Sequence, residues 1–424
     1  MPSPVRALGN RNFQRLLLAL AGIPVVLVYL WRALIVPVLM GADIGDFQES
    51  YMRAAARLST GGDPYDLCRV IGCAEPTGPQ YVMPPLLAWL LQPLVGVDRR
   101  LITLAVVLCL NISLALFLFC VVRAMNVKDW HLAILLVLVA VSFGPVVGNI
   151  DEGQINLVLL ALSGMWLLSW LGGGWWGGAA LGAAVALKLI QAPLVVLVLW
   201  ARRWSMLIAA TVAGLGLWLL AAPQYLFEYL FQVLPVVSAG TGLYENHSPG
   251  GTITRLLEPA TFLGAERGSP TASRVITAAI AVAALAITLV VLRTPAVSRT
   301  GRSLEAAAII AVTPLMASYS WGTHLVLLLL PMLVLVVWGV RNRDWTVLAL
   351  VAMGSLLIGP WGKWLQVLLV SGYSNLLVLR LMDEYGVISL VTIWIGCLLA
   401  VHRERSPRTQ AALIGSRLGS SGLV

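Results

Sequence analysis

Charge is what this sequence has least of. Only 11% of its 424 residues are Asp, Glu, Lys or Arg, against 59% hydrophobic, whereas a water-soluble domain carries about a quarter charged residues. That shortage excludes a large soluble domain, because long apolar runs follow one another with only short polar connectors between them. Cysteine is scarce too: there are five, none in a CxxC spacing, so a thiol-redox motif is excluded. The four histidines include no HExxH pair and no GxSxG turn occurs, which removes the zinc-protease and serine-hydrolase readings. The glycines of Gly172 to Gly178 lack the preceding strand and the Lys of a phosphate loop and read as a tight turn.

What is present is a series of candidate membrane helices. The first apolar segment, from about Gln14 to Met40, follows Arg6, Arg11 and Arg15, is too long for a signal-peptide core and has no small-residue cleavage site. It is expected to be a retained span. The net charge of +9 has no interleaved stacking aromatics, so no nucleic-acid partner is expected. Lys and Arg favour cytoplasmic connectors. Placing the clusters Arg6 to Arg15, Arg123 with Lys128, Arg202 with Arg203, Arg293 to Arg302, Arg341 with Arg343 and Arg403 to Arg408 inside predicts about 12 crossings with both ends cytoplasmic.

The expected fold class is therefore all-α, a polytopic membrane helix bundle of about 12 transmembrane helices whose extracytoplasmic loops bear short amphipathic helices. One transmembrane domain covers residues 1–402, with outer loops at 41–100, 223–272 and 361–385 and an outer turn at 148–154. A disordered cytoplasmic tail follows at 403–424. Two places break the pattern. Pro85 to Val97 is short and ends in Asp98, Arg99 and Arg100, which suits an interfacial or re-entrant helix. Gly177 to Trp200 is interrupted by Lys188-Leu-Ile-Gln-Ala-Pro193, which predicts two short helices meeting at Lys188. Cys109, Cys120 and Cys397 lie in apolar runs as packing residues. Cys68 and Cys73 share the first outer loop, where a disulfide is expected.

The stretch after the first span concentrates the acids: Gly41-Ala-Asp43-Ile-Gly-Asp46-Phe-Gln-Glu49-Ser-Tyr51, then Gly61-Gly62-Asp63-Pro64-Tyr65. Carboxylates at the mouth of a helix bundle are functional candidates, since they are costly near lipid. The alternative is that Asp43 or Asp46 caps the helix starting near Phe47. Lys188 has the alternative of snorkelling at a helix end, Arg255 that of facing headgroups from an amphipathic stretch, and His324 that of a structural hydrogen bond. Asp151 and Glu152 read as capping charges of the next helix.

Asp46 after an apolar span, Tyr51 five residues on and Gly62-x-Pro64-Tyr65 together resemble the first outer loop of the polyprenol-phosphate-mannose-dependent mannosyltransferases. These form a branch of glycosyltransferase superfamily C whose members include one that extends phosphatidylinositol mannosides. Further short motifs follow in the same order: Gly153-Gln154-x-Asn156 opening a span, Ala186-Leu187-Lys188 ahead of a Pro, Asn246-His247-Ser248 with Arg255 in a large outer loop, and His324 at the start of a late span. The family more commonly has Gln where His247 stands.

This resemblance implies an inverting transfer of a mannose-like sugar from a polyprenyl phosphate to a glycolipid or glycan hydroxyl. The chain is then a monomer in the bacterial plasma membrane, with its site on the extracytoplasmic side, in contact with membrane lipids and using neither metal nor cofactor. Asp46 is implied as general base, with Asp43 as the alternative base and His324 as a second catalytic residue. Cations stabilise a departing phosphate. Lys188 and Arg255 are implied in that role, with Gln154, Asn156, Tyr319 and Trp321 on the donor sugar and Tyr51, Asn246, His247 and Ser248 on the acceptor. The competing class is a secondary transporter or a flippase of lipid-linked glycans, which has a similar helix count but concentrates ionisable groups at the midplane. An outer-face glycan polymerase or ligase is the other alternative.

Overall fold

A computed structural model of the chain describes residues 22–39, 44–65, 80–258, 270–361 and 384–406. The expectations concerning Asp43, Cys68 with Cys73, residues 362–383 of the third outer loop and 407–424 of the tail lie outside these residues. Among the described residues there is no strand, only an isolated bridge between Asn246 and Trp321. Helices dominate for a physical reason: lipid offers no hydrogen bonds, so each spanning segment must satisfy its backbone internally.

Among the described residues, five helices are long and apolar enough to cross a bilayer: Gly22–Leu39, Arg99–Ala124, Thr271–Leu292, His324–Asn342 and Tyr385–Glu404. Two bent pairs raise the number to seven, Trp130–Ser142 with Gly144–Asp151 at 51° and Trp204–Leu220 with Pro223–Ser238 at 103°. The expected count of about 12 is thus not reached by long helices. The remaining apolar runs are cut short by breaks in the chain, such as the one at Lys188, whose extended backbone (φ −159°, ψ 122°) separates Gly177–Leu187 from Leu189–Trp200. That break is where the Lys188 to Pro193 interruption placed it. Pro85–Leu94 is a short helix, with Leu86, Leu87 and Ala88 buried and Trp89 and Leu90 exposed.

Small residues let helices approach closely where no hydrophobic force distinguishes helix from lipid. Gly178 and Gly182 lie one turn apart on Gly177–Leu187, and a Cβ on them would fall 2.0 Å from the Met206 carbonyl and 2.2 Å from the Ala210 carbonyl of Trp204–Leu220. His324–Asn342 runs through the centre and is buried over nearly its whole length.

That central helix joins two unlike ends. At its Arg341 end, guanidinium groups cap orphan helix carbonyls: Arg341 donates to the Met125 carbonyl (2.9 Å), Arg299 to that of Ala124 (2.8 Å) and Arg302 to that of Trp170 (3.3 Å). Ion pairs of Arg403 with Asp344 and of Arg405 with the buried Glu305 reinforce it. At its His324 end lies a cavity with both polar and apolar walls.

Candidate active site

Asp46 immediately precedes the helical stretch 47–59 that follows the first span, in helical geometry (φ −61°, ψ −33°), and its side chain makes no capping bond. The first helical N–H, on Phe47, donates instead to the Glu152 carbonyl (3.2 Å). Gly153 makes that approach possible. It has φ +63°, and a Cβ there would lie 2.5 Å from the Cβ of Phe47, so only glycine fits both the conformation and the space. The close turn brings Gln154 beside Asp46. The Gln154 amide nitrogen donates to Asp46 Oδ2, and its oxygen accepts a bond from the Tyr51 hydroxyl (2.6 Å). Burial raises the pKa of the Asp46 carboxyl above the usual aspartate value; the Gln154 bond and the charge of Lys188 oppose the rise and Glu49 adds to it.

Lys188 sits in the helix break with its ammonium buried. Nζ donates to Asn156 Oδ1 (3.0 Å) and lies 2.8 Å from His324 Nε2. Asn156 is braced in turn by Asn149 Oδ1 (2.9 Å) and the Thr323 carbonyl (3.2 Å), and Asn149 donates to that same carbonyl (2.8 Å). With Lys188 charged, Nζ donates to Nε2 and His324 carries its proton on Nδ1. That nitrogen is buried without a protein partner.

Both groups face one cavity of about 1360 Å³. Its polar wall includes Asp46, Tyr51, Gln154, Lys188, Glu245, His247, Tyr319, Trp321 and His324; Pro24, Val25 and Val28 of the first span, with Val141, Val147, Val236, Val237 and Ile358, make an apolar wall. Tyr319 and Trp321 meet edge to face at 4.6 Å between ring centres. His247 packs against Gly386 and lies 3.5 Å from the Tyr385 hydroxyl; burial, with the charge of Arg255, brings its pKa down to about 3, so it is neutral. Among the described residues, no three His, Cys, Asp or Glu side chains gather as a metal-holding group.

Four of the residues expected at the site do not reach the cavity wall. Asn156 stands behind Lys188. Asn246 clips backbone together, donating to the Thr241 and Ser318 carbonyls and accepting from the Ser248 and Ser320 N–H groups. Ser248 caps the helix Pro249–Leu257 through the Gly251 N–H. Arg255, expected on the donor phosphate, is taken up by Glu384 (2.7 Å) and by the Leu243 and Asn246 carbonyls. Asp43 lies outside the described residues. Two supporting residues had gone unnoticed: Asn149, a polar side chain inside the apolar run Val146 to Ile150 and so a legible signal, and Glu384, whose partner is 129 positions away and leaves none.

The family model for glycosyltransferase family 87 matches residues 81–318, more than half of the chain. The chain belongs to glycosyltransferase family 87. Membership makes it a glycosyltransferase, and the apolar helices make it a helical membrane protein. The family 87 match takes in Gln154, Lys188 and His247, while Asp46 and His324 lie on either side of it and join the cavity through the fold. No curated protein and no solved structure matches this family 87 chain.

Proposed function

We propose that this family 87 glycosyltransferase moves a mannose-like sugar from a polyprenyl phosphate to a hydroxyl of a glycolipid or glycan, with inversion at the anomeric carbon and Asp46 as general base. The observation that carries the reading is the placement of a carboxylate, Asp46, and a cationic donor pair, Lys188 with His324, on one cavity that also has an apolar wall. The acceptor oxygen attacks the anomeric carbon while Asp46 takes its proton. The bond from that carbon to the phosphate oxygen breaks, and the lipid phosphate leaves with the electron pair. Lys188 Nζ, held by Asn156 and His324, supplies positive charge for the charge that develops there. A single displacement of this kind inverts the configuration. The Val25 and Val28 side suits a hydrocarbon carrier, and Tyr319 with Trp321 offers an aromatic face to a sugar.

Orientation follows from the two ends of the His324–Asn342 helix. The arginine-rich end suits the cytoplasm, and this supports the proposal of a cavity open to the extracytoplasmic side. A count of about 12 crossings follows if the shorter apolar helices, such as Asn156–Gly172 and Gly177–Leu187, cross as well. The groups named here all come from one chain, which suits a monomer.

The test is to incubate purified protein with polyprenyl-phosphate mannose, other polyprenyl-phosphate sugars or nucleotide sugars, together with a panel of glycolipids that includes phosphatidylinositol mannosides. Transfer from the lipid-linked donor with formation of an inverted linkage is expected. Transfer from a nucleotide sugar alone, or movement of the lipid across vesicles without a new glycoside, would overturn it.

A further inference from the structure

Gln154 could contact Asp46 through either end of its amide, and the chemistry of its two neighbours selects one. An ionised carboxylate only accepts hydrogen bonds, so the amide must turn its NH2 group to Asp46. Its oxygen then faces Tyr51, whose hydroxyl is the donor at 2.6 Å. Burial, then the nearby Asp46 charge, pushes the Tyr51 phenol well above its usual range, so it remains a donor. The ring is fixed as well: Tyr51 is 2% exposed and lies edge to face against Phe47 (5.9 Å) and Tyr81 (6.3 Å). Hydrogen-bond polarity therefore runs one way, from Tyr51 through Gln154 to Asp46 Oδ2.

We propose that Tyr51 and Gln154 are positioning residues for the base: the Tyr51 hydroxyl locks the Gln154 amide, and the amide holds one oxygen of Asp46 so that the other is left for the acceptor hydroxyl. This rests on Asp46 being the base. Without the lock, the Gln154 amide can rotate by half a turn and point its oxygen at the carboxylate. That arrangement is tolerated only if Asp46 is protonated, so the loss should appear as a base that titrates too high. The other charged groups acting on Asp46 are Glu49 on its own helix, Lys188 from the helix break and Glu245, and Glu152 lines the same cavity. The substitutions below leave all four in place.

The experiment measures kcat and KM against pH for the full-length protein, wild type and variants, with polyprenyl-phosphate mannose as donor. Tyr51→Phe keeps the ring and removes the donor. It should lower kcat about tenfold at neutral pH, leave the donor KM within about twofold, and move the acid limb of kcat up by about one pH unit. Gln154→Glu sets two carboxyl groups together and should move the limb further in the same direction. Tyr81→Phe removes a buried hydroxyl from the same aromatic cluster, one bonded to the Pro84 carbonyl (2.6 Å); it should lower thermal stability without moving the limb. An acid limb unmoved in both Tyr51→Phe and Gln154→Glu, or moved equally in Tyr81→Phe, overturns the proposal. An active Asp46→Asn protein sinks the base assignment itself, and this proposal with it, whereas an inactive one with unmoved limbs sinks the positioning role alone.

Discussion

Lys188 Nζ lies 2.8 Å from His324 Nε2, so a lysine in the break of one apolar helix pair meets a histidine at the start of a span 136 positions later. The contact ties the two side chains together at the cavity wall. Replacing Lys188 by Met or His324 by Phe should each lower kcat by about 100-fold or more, the scale of removing one oxyanion donor. The double variant should be little worse than the poorer single one, because the two act as a unit. Steady-state kinetics on the three proteins checks this; fully multiplicative losses would mean independent roles.

Burial raises the pKa of Asp46, and the sign of the consequence is fixed. A base works deprotonated, so the rate is full above its pKa and falls as pH drops through it. The acid limb of kcat/KM should therefore lie above the ordinary aspartate range of about 4. Lys188→Met, by removing a cation that favours the ionised form, should push the limb higher still. A pH–rate profile of each protein reads this directly.

Arg255 serves the fold. Its guanidinium is 5% exposed and paired with Glu384, joining the helix Pro249–Leu257 to the start of the last span. Arg255→Met leaves the half-buried Glu384 carboxylate without its partner and should destabilise the protein by roughly 1–3 kcal/mol. Pairing it with Glu384→Gln should recover part of the loss. Thermal unfolding in detergent measures both, and a full-stability Arg255→Met protein with lost donor binding would return the arginine to the phosphate.

Gly153→Ala should also be costly. The residue would hold a positive φ, worth about 1–3 kcal/mol of strain, and its Cβ would press on Phe47. As the turn carries Gln154, kcat should fall with the stability. Comparing activity per folded protein at a permissive temperature separates the two effects.

Much of this was legible in the sequence. The apolar runs announced a membrane helix bundle, and Lys188 ahead of Pro193 announced a broken helix, because both signals are local. Asp46, Tyr51, Gln154, Lys188, His247, Tyr319, Trp321 and His324 were all singled out and share one cavity. The helix count was less legible, since breaks and bends shorten runs that composition alone would join. Arg255, Asn246 and Ser248 were assigned to substrate because a polar residue in an outer loop looks alike whether it faces a ligand or a carbonyl. Only the fold brings Glu384 and the Thr241 and Ser318 carbonyls to them.

The most direct measurement is transfer by Asp46→Asn protein, purified and shown to be folded, supplied with polyprenyl-phosphate mannose and a glycolipid acceptor. The side chain keeps its size, so the variant should hold the donor while turnover drops at least 100-fold. Near-normal turnover would contradict the assignment of Asp46 as the base.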